Sequence, residues 1–257
     1  MLENYDHRYT DDGGRLIFVP TDDGRLIGYD LIRRILKRWR PPAFCYHFQR
    51  GGHVAAAEAH LPNRLFVRMD IQRFYDAVSR NKVHRSLKSI GIKQRHAWEA
   101  ARFATVSRSP SGRGRPYSLP FGFVQSPMLA TVALMTSALG NAIAAVHAAR
   151  AITVSVYMDD VLLSGECASV LANAKTFLEA AAAESGFTFN PEKGSGPTPS
   201  VTVFNLVIQH RSMVLTTDRF TDFEDDIRKS RNEDITNGIL SYVGTVNVAQ
   251  ATALARL

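Results

Sequence analysis

Two short runs rich in β-branched and aromatic residues, Ile152-Thr153-Val154-Ser155-Val156-Tyr157 and Val161-Leu162-Leu163, bracket an acidic corner at Met158-Asp159-Asp160. Runs of this length and composition, broken by so tight an interval, read as a β-hairpin. The tip of a hairpin lifts neighbouring carboxylates off the buried, pleated surface, where solvent and ions can reach them. Two hard anionic ligands at one turn suit Mg²⁺. Asp also favours turns for conformational reasons alone, so the pair by itself does not establish a site.

A second stretch strengthens the reading. Leu65-Phe66-Val67-Arg68-Met69-Asp70 is another apolar strand ending on an Asp, followed by Ile71-Gln72-Arg73-Phe74-Tyr75-Asp76. Two strands that bring Asp70 beside Asp159 and Asp160 would gather three carboxylates. Such a trio repels itself and raises its own pKa values unless divalent cations neutralise it. Two metals bridged by shared carboxylates is an arrangement that serves in-line phosphoryl transfer.

The charge balance points the same way. The chain carries 31 Lys and Arg against 24 Asp and Glu, a net +7, which favours polyanionic partners such as nucleic acid. Its 257 residues, 45% hydrophobic, suffice for one domain or two closely packed subdomains. Two cysteines, Cys45 and Cys167, imply no disulfide framework and suit a reducing cytoplasmic setting. The N-terminal residues lack the layout of a signal peptide, and the apolar segment Met128 to Ala149 is interrupted by Thr131, Thr136, Ser137, Asn141 and His147. It reads as a buried helix, so no membrane partner is expected.

Along the chain, residues 14–29 suggest a hairpin turning at Asp23-Gly24, and Asp30 a helix cap for a stretch through Trp39 with a basic face at Arg33, Arg34, Lys37 and Arg38. That face suits either phosphate binding or plain solvation. Ser79 caps a predicted helix through Ile90 that Gly91 closes. Residues 107–118 carry Gly, Ser, Pro and three Arg, and read as a mobile basic loop. Ser126-Pro127 starts one long helix, and an Ala-rich helix runs from Glu166 to Glu184 and stops at Gly186. Residues 201–208 read as one strand.

Three segments, that around Asp70, then Leu119-Pro120-Phe121-Gly122-Phe123-Val124-Gln125-Ser126-Pro127, then Tyr157-Met158-Asp159-Asp160, stand in the order and spacing of motifs A, B and C of the reverse transcriptases, which this chain resembles over about residues 15–245. The resemblance implies an α+β right-hand polymerase with fingers, a palm of antiparallel sheet backed by helices, and a short or partial thumb. Its parts would be the N-terminal fingers (1–64), the motif A strand (65–79), fingers and palm helices with the basic loop (80–118), the palm with motifs B, C, D and primer grip (119–208), and a partial thumb or C-terminal extension (209–257).

The implied activity is that of an RNA-directed DNA polymerase, a nucleotidyltransferase adding deoxynucleotides with two Mg²⁺ ions, or Mn²⁺ in their place. Asp70, Asp159 and Asp160 would hold the metals, with the Ile71 carbonyl as a further ligand. Lys193, in a segment resembling motif D, would be the general acid. Nucleotide contacts would come from Arg25, Tyr75, Phe121 and Gly122, with Tyr75 as the gate that admits deoxyribose and excludes ribose. Nucleic acid would meet Arg50, Arg113, Arg115, Tyr157 and Met158. The chain departs from the family pattern at Thr21, Ile27 and Phe121, where Lys, Arg and Gln are commonly found, and lacks the primer-grip glycine near Asn205 to Val207. Expected partners are an RNA template or non-coding RNA, a DNA product, deoxynucleoside triphosphates, and a second copy or accessory subunit. The compact, stand-alone layout resembles prokaryotic defence-associated, abortive-infection and retron enzymes, so anti-phage defence is the expected setting. Two alternatives stay open: a retron-type enzyme making DNA from a partner non-coding RNA, and a degenerate polymerase fold acting as an RNA-binding assembly subunit.

Overall fold

A computed structural model describes residues 4–109, 114–230 and 232–257. The chain begins with an antiparallel pair, β1 (Tyr5–Thr10) and β2 (Leu16–Pro20), and continues into helix α1 (Asp22–Leu36). The hairpin expected over 14–29 is therefore displaced toward the N-terminus, and its second half is helical. Thr21 is the reason: its Oγ1 accepts from the Gly24 backbone N–H at 2.9 Å, and Asp22 and Asp23 fill an acidic first turn that complements the helix dipole. Asp30 thus lies inside α1 and caps nothing.

A short helix α2 (Gly52–Glu58) precedes strand β3 (Leu65–Asp70). Then come α3 (Phe74–Ala77), α4 (Arg80–Ser89) and α5 (Gln94–Phe103). Ser79 caps α4 as the sequence suggests, accepting from Lys82 N–H at 3.3 Å, and Gly91 takes the left-handed conformation just beyond its end. The basic stretch 107–118 is not wholly loop, because its ends pair as β4 (Val106–Ser107) and β5 (Tyr117–Ser118). The motif B segment enters helix α6 (Ser126–Met135), but Gln125 is the cap residue. Ser126 is instead the first helical residue, its hydroxyl donating to the Pro120 carbonyl at 2.7 Å. The single long helix expected here is two, with α7 (Ala138–Ala148) bent 73° from α6. Thr136 and Ser137 cause the break: both hydroxyls donate to carbonyls of the preceding turn, and Ser137 then receives the Gly140 N–H.

The expected acidic hairpin forms from β6 (Thr153–Tyr157) and β7 (Asp160–Gly165), and α8 (Ala168–Ser185) follows, ending before Gly186 in the left-handed region. Strand β8 (Ser195–Thr198) returns to β3. Residues 201–208 are two strands, β9 (Ser200–Val203) and β10 (Leu206–Gln209), which continue to β11 (Ser212–Leu215). Helices α9 (Thr217–Lys229), α10 (Glu233–Val246) and α11 (Val248–Leu254) complete the chain.

These elements form two units, each assembled from three separated stretches. The first contains residues 1–42, 71–145 and 178–189; it holds the β1–β2 and β4–β5 pairs, with Phe18, Val106 and Phe123 buried together. The second contains residues 43–70, 146–177 and 190–257. It is built on a four-stranded antiparallel sheet of order β6-β7-β3-β8 and a three-stranded one of order β11-β10-β9. Its core runs from Phe66 and Leu162 through Val201, Leu206 and Ile208 to Phe223, Val243 and Leu254. Among the described residues no single helix is long and apolar enough to cross a membrane; only the bent α6–α7 pair reaches that length and composition, and α6 is largely buried.

Candidate active site

Strand β3 lies between β7 and β8, so both its edges are hydrogen-bonded and most of its side chains are buried. The alternation that buries Phe66 also puts Arg68 and Asp70 on one face. The register seats Asp70 directly opposite Asp160, and Tyr157 opposite Asp160 on the other side, leaving Met158 and Asp159 as the two-residue loop. Met158 adopts a positive φ of 57°, the twist that two-residue hairpins require. Backbone geometry alone thus brings the three predicted carboxylates to one end of the sheet.

Each carboxylate has its own environment. Asp70 is only 4% exposed, yet its Oδ2 lies 3.4 Å from the ammonium of Lys193, and its carbonyl accepts from Asn190 N–H at 2.8 Å. Asp160 Oδ1 accepts from both Nε and Nη2 of Arg68, each at 2.9 Å, and Arg68 Nη1 reaches the Thr202 carbonyl at 3.0 Å. Burial pushes Asp160 upward, while Arg68 opposes the shift. Burial likewise pushes Asp159 up to about 6, its own backbone N–H opposing and the neighbouring charges of Asp160 and Asp70 adding to the rise. The three groups feel one another, as expected of a shared site.

Among the described residues, no three His, Cys, Asp or Glu side chains are arranged to cage a metal ion. Arg68 and Lys193 bring positive charge to the site, each drawing one carboxylate to itself. The donor set nevertheless fits a hard divalent cation: all three groups are carboxylates, and Asp159 has no basic partner at hydrogen-bond distance among the described residues.

The hairpin is held by residues that sequence reading passed over. His47 Nδ1 accepts the Met158 N–H at 3.2 Å, and burial lowers this His to about 4, keeping the ring nitrogen unprotonated for that role. Tyr157 is surrounded edge-on by His47, His53 and Phe204, at centroid distances of 5.8, 6.0 and 5.1 Å. Beneath the strands, buried His60 bonds Ser164 at 2.6 Å and Ser155 at 2.8 Å, joining α2's end to both strands of the hairpin. Arg68 was legible in principle, since a charge two residues before Asp70 in an apolar strand shares its face. The histidines carried no such signal, because their partners lie about a hundred positions away.

Arg50 is exposed in the second unit. In the first unit, Tyr75 lies in α3, 8% exposed, its ring 4.7 Å from that of Phe121. Phe121 accepts the Phe18 N–H through its carbonyl at 2.9 Å, and Gly122, at φ 97°, sits so close to the Phe18 carbonyl that any Cβ would collide with it. Ile71 is buried and bridged to Phe189. Arg25 does not stand on a hairpin: it is exposed on α1, 3.6 Å from Asp22. Arg115 is exposed, and Arg113 lies outside the described residues.

Comparison with known proteins identifies the family. The profile of the reverse transcriptase (RNA-dependent DNA polymerase) family matches residues 10–225. The retron Ec86 reverse transcriptase of Escherichia coli is 22% identical over 241 residues, covering 91% of this chain and 72% of its own. Among solved structures, apo telomerase of Candida tropicalis superposes with a TM-score of 0.61 at 12% identity, covering 95% of this chain. A Candida albicans telomerase, in complex with a fragment of telomeric RNA, gives 0.54 at 11% and 94%. The chain spans about half the length of these telomerases (52% and 53%), and at such identities the likeness concerns the fold. With its antiparallel sheets, its order of strands and its matched profile, the chain belongs to the reverse transcriptase family, the RNA-directed DNA polymerases.

Proposed function

We propose that this chain extends a DNA strand on an RNA template with deoxynucleoside triphosphates, and that Asp70, Asp159 and Asp160 are its catalytic carboxylates. The observation that carries the reading is the cross-strand pairing of Asp70 with Asp160, with Asp159 in the adjoining turn, inside a chain of this family. Reverse transcriptases use divalent metal ions, and here the three carboxylates would hold two Mg²⁺. Bound there, the ions would make the primer 3′-hydroxyl more acidic and stabilise the departing phosphate oxygens.

The chain's own residues divide the remaining work. Arg68 fixes the orientation of Asp160 through Oδ1 and leaves Oδ2 available. Lys193, 58% exposed and resting against Asp70, is positioned to give a proton to the pyrophosphate leaving group. Tyr75, packed on Phe121, selects deoxyribose by colliding with a 2′-hydroxyl. The sheet carrying the carboxylates takes the part of the palm.

The retron relative favours synthesis from a partner non-coding RNA. We place the activity in anti-phage defence, to be checked by plating phage on cells that carry the wild-type or carboxylate-free chain. The direct test is Mg²⁺-dependent incorporation of each labelled deoxynucleotide by purified protein, with co-purifying nucleic acid retained and then removed, beside an Asp159→Ala, Asp160→Ala variant. Incorporation that the variant abolishes, and that depends on retained RNA, is the expected result. Incorporation equal in both proteins would reject the assignment, and biological activity kept by the variant would favour the RNA-binding assembly role.

A further inference from the structure

A groove of about 780 Å³ opens in the first unit between α1 and α5. That volume lies in the range of small-ligand sites. Leu31, Ile92, Ala100 and Phe103 line its apolar part, together with Ile27, an aliphatic side chain left 47% exposed. Around them stand Arg34, Lys37, Arg38, Lys93 and His96.

The charges do not cancel. The two acidic groups at the groove are already engaged by arginines of their own helices: Asp30 by Arg34 at 2.6 Å and Glu99 by Arg95 at 2.9 Å. Arg38 spends one donor on the Gly91 carbonyl at 3.0 Å, which fixes its head at the groove and neutralises nothing. The ammonium groups of Lys37 and Lys93 have no ion-pair or hydrogen-bond partner among the described residues. Three unopposed cations therefore face an apolar floor that a hydrated inorganic anion would leave uncovered. A ligand that satisfies both has anionic groups on a regular backbone and flat, weakly polar faces. Unpaired nucleotides meet that description, and a duplex, whose faces are stacked inward, does not.

We propose that the α1–α5 groove binds an unpaired stretch of RNA, with Lys37, Arg38 and Lys93 on phosphates and the bases over Ile27, Ile92 and Phe103. The choice of RNA rests on the family reading above; the groove itself is lined only by residues of the first unit. It gives a use to the basic face of α1, which the carboxylate site leaves unexplained.

The test is fluorescence anisotropy of a labelled, unstructured 12-nucleotide RNA with the full chain carrying Asp159→Asn, in EDTA, so that no catalysis enters the readout. Lys37→Glu with Lys93→Glu should weaken binding at least tenfold and lower the salt slope of log Kd by about 1.4, about 0.7 for each phosphate of a single strand that no longer meets a lysine. Arg8→Glu with Lys88→Glu, an equal change of charge at exposed positions, should weaken it less than threefold. Ala100→Trp, which fills the groove and alters no charge, should weaken binding at least fivefold while the melting temperature holds. Crosslinks from 4-thiouridine RNA should fall in peptides of α1 or α5. Equal losses in both charge-reversed pairs, an Ala100→Trp variant that binds normally, equal competition by polyglutamate, or a self-associated chain that Ala100→Trp dissociates would each overturn the proposal. Groove-dependent binding without incorporation by the unmutated chain would reject the polymerase reading and leave the groove standing. Incorporation without groove-dependent binding would do the reverse.

Discussion

At the residue scale the site is a balance of carboxylates against two basic side chains. Removing Arg68 leaves Asp160 partly buried beside like charges with no guanidinium, so Arg68→Met should cost about 1–3 kcal/mol in metal-free protein. Thermal melting in EDTA checks this, and added Mg²⁺ should restore more of the loss in the variant than it adds to the wild type. Asp159→Asn should behave in the opposite sense. It relieves crowding with Asp160 and Asp70, so stability in EDTA should hold or rise, while incorporation falls about a thousandfold or more, the loss of a contribution of several kcal/mol to the transition state. A fall in both would mean that Asp159 is structural. Tyr75→Ala, measured as the ratio of deoxy- to ribonucleotide incorporation, should shift use toward ribonucleotides; an unchanged ratio would return Tyr75 to the role of a core aromatic packed on Phe121.

At the level of elements, the hairpin that bears Asp159 is as rigid as the buried polar network behind it. His60 sits between Ser155 and Ser164 and is held near pKa 3 by burial, well below the ordinary 6.5. Its sign is fixed by linkage: the unfolded chain takes up a proton as pH falls through about 6.5, and the folded chain does not until about 3. Stability is therefore full above about pH 6.5 and declines as pH falls toward 3. His47 and His53, also lowered by burial, add to the same slope. His60→Ala should cost about 2–4 kcal/mol at pH 7 through the cavity and the unpaired serine hydroxyls, and should flatten the decline between pH 6 and 4 in urea titrations. The strands that this network joins were legible because β-branched residues flank a tight acidic break. Other elements were not. Asp23-Gly24 carries a turn signature, but Thr21 captures it as a helix start, and glycine suits position 24 because a Cβ added there would stand 2.7 Å from the Asn4 carbonyl oxygen. The β9–β10 turn was hidden for the opposite reason: Phe204 and Asn205 both take positive φ, 56° and 60°, with no glycine to announce it.

For the whole molecule, chain order and spatial order part company. Motif spacing located the three carboxylates across ninety positions of sequence because one sheet register joins β3 to β7. It could not show that the last forty residues share a core with earlier strands, since amphipathic helices look alike whether they cover their own domain or another's. Phe223, Val243, Val246 and Leu254 of α9–α11 are buried in the same cluster as Val201, Leu206, Ile208 and Met213. Asn247 and Gln250 add hydrogen bonds to the Met213 carbonyl and to the backbone of Leu215, at 3.1 and 2.8 Å. Burying four such apolar side chains contributes roughly 1.5–3 kcal/mol each, together comparable with the 5–15 kcal/mol by which a typical domain is stable. A chain ending at Thr216 should therefore lose its cooperative urea transition, and hydrogen exchange should show β9–β11 unprotected. Leu254→Ala, a milder probe, should cost about 2–4 kcal/mol and lower the transition midpoint with its slope kept. If the truncated chain instead unfolds cooperatively with β9–β11 still protected, these helices are a detachable extension, and the sheet that supports the carboxylates stands without them.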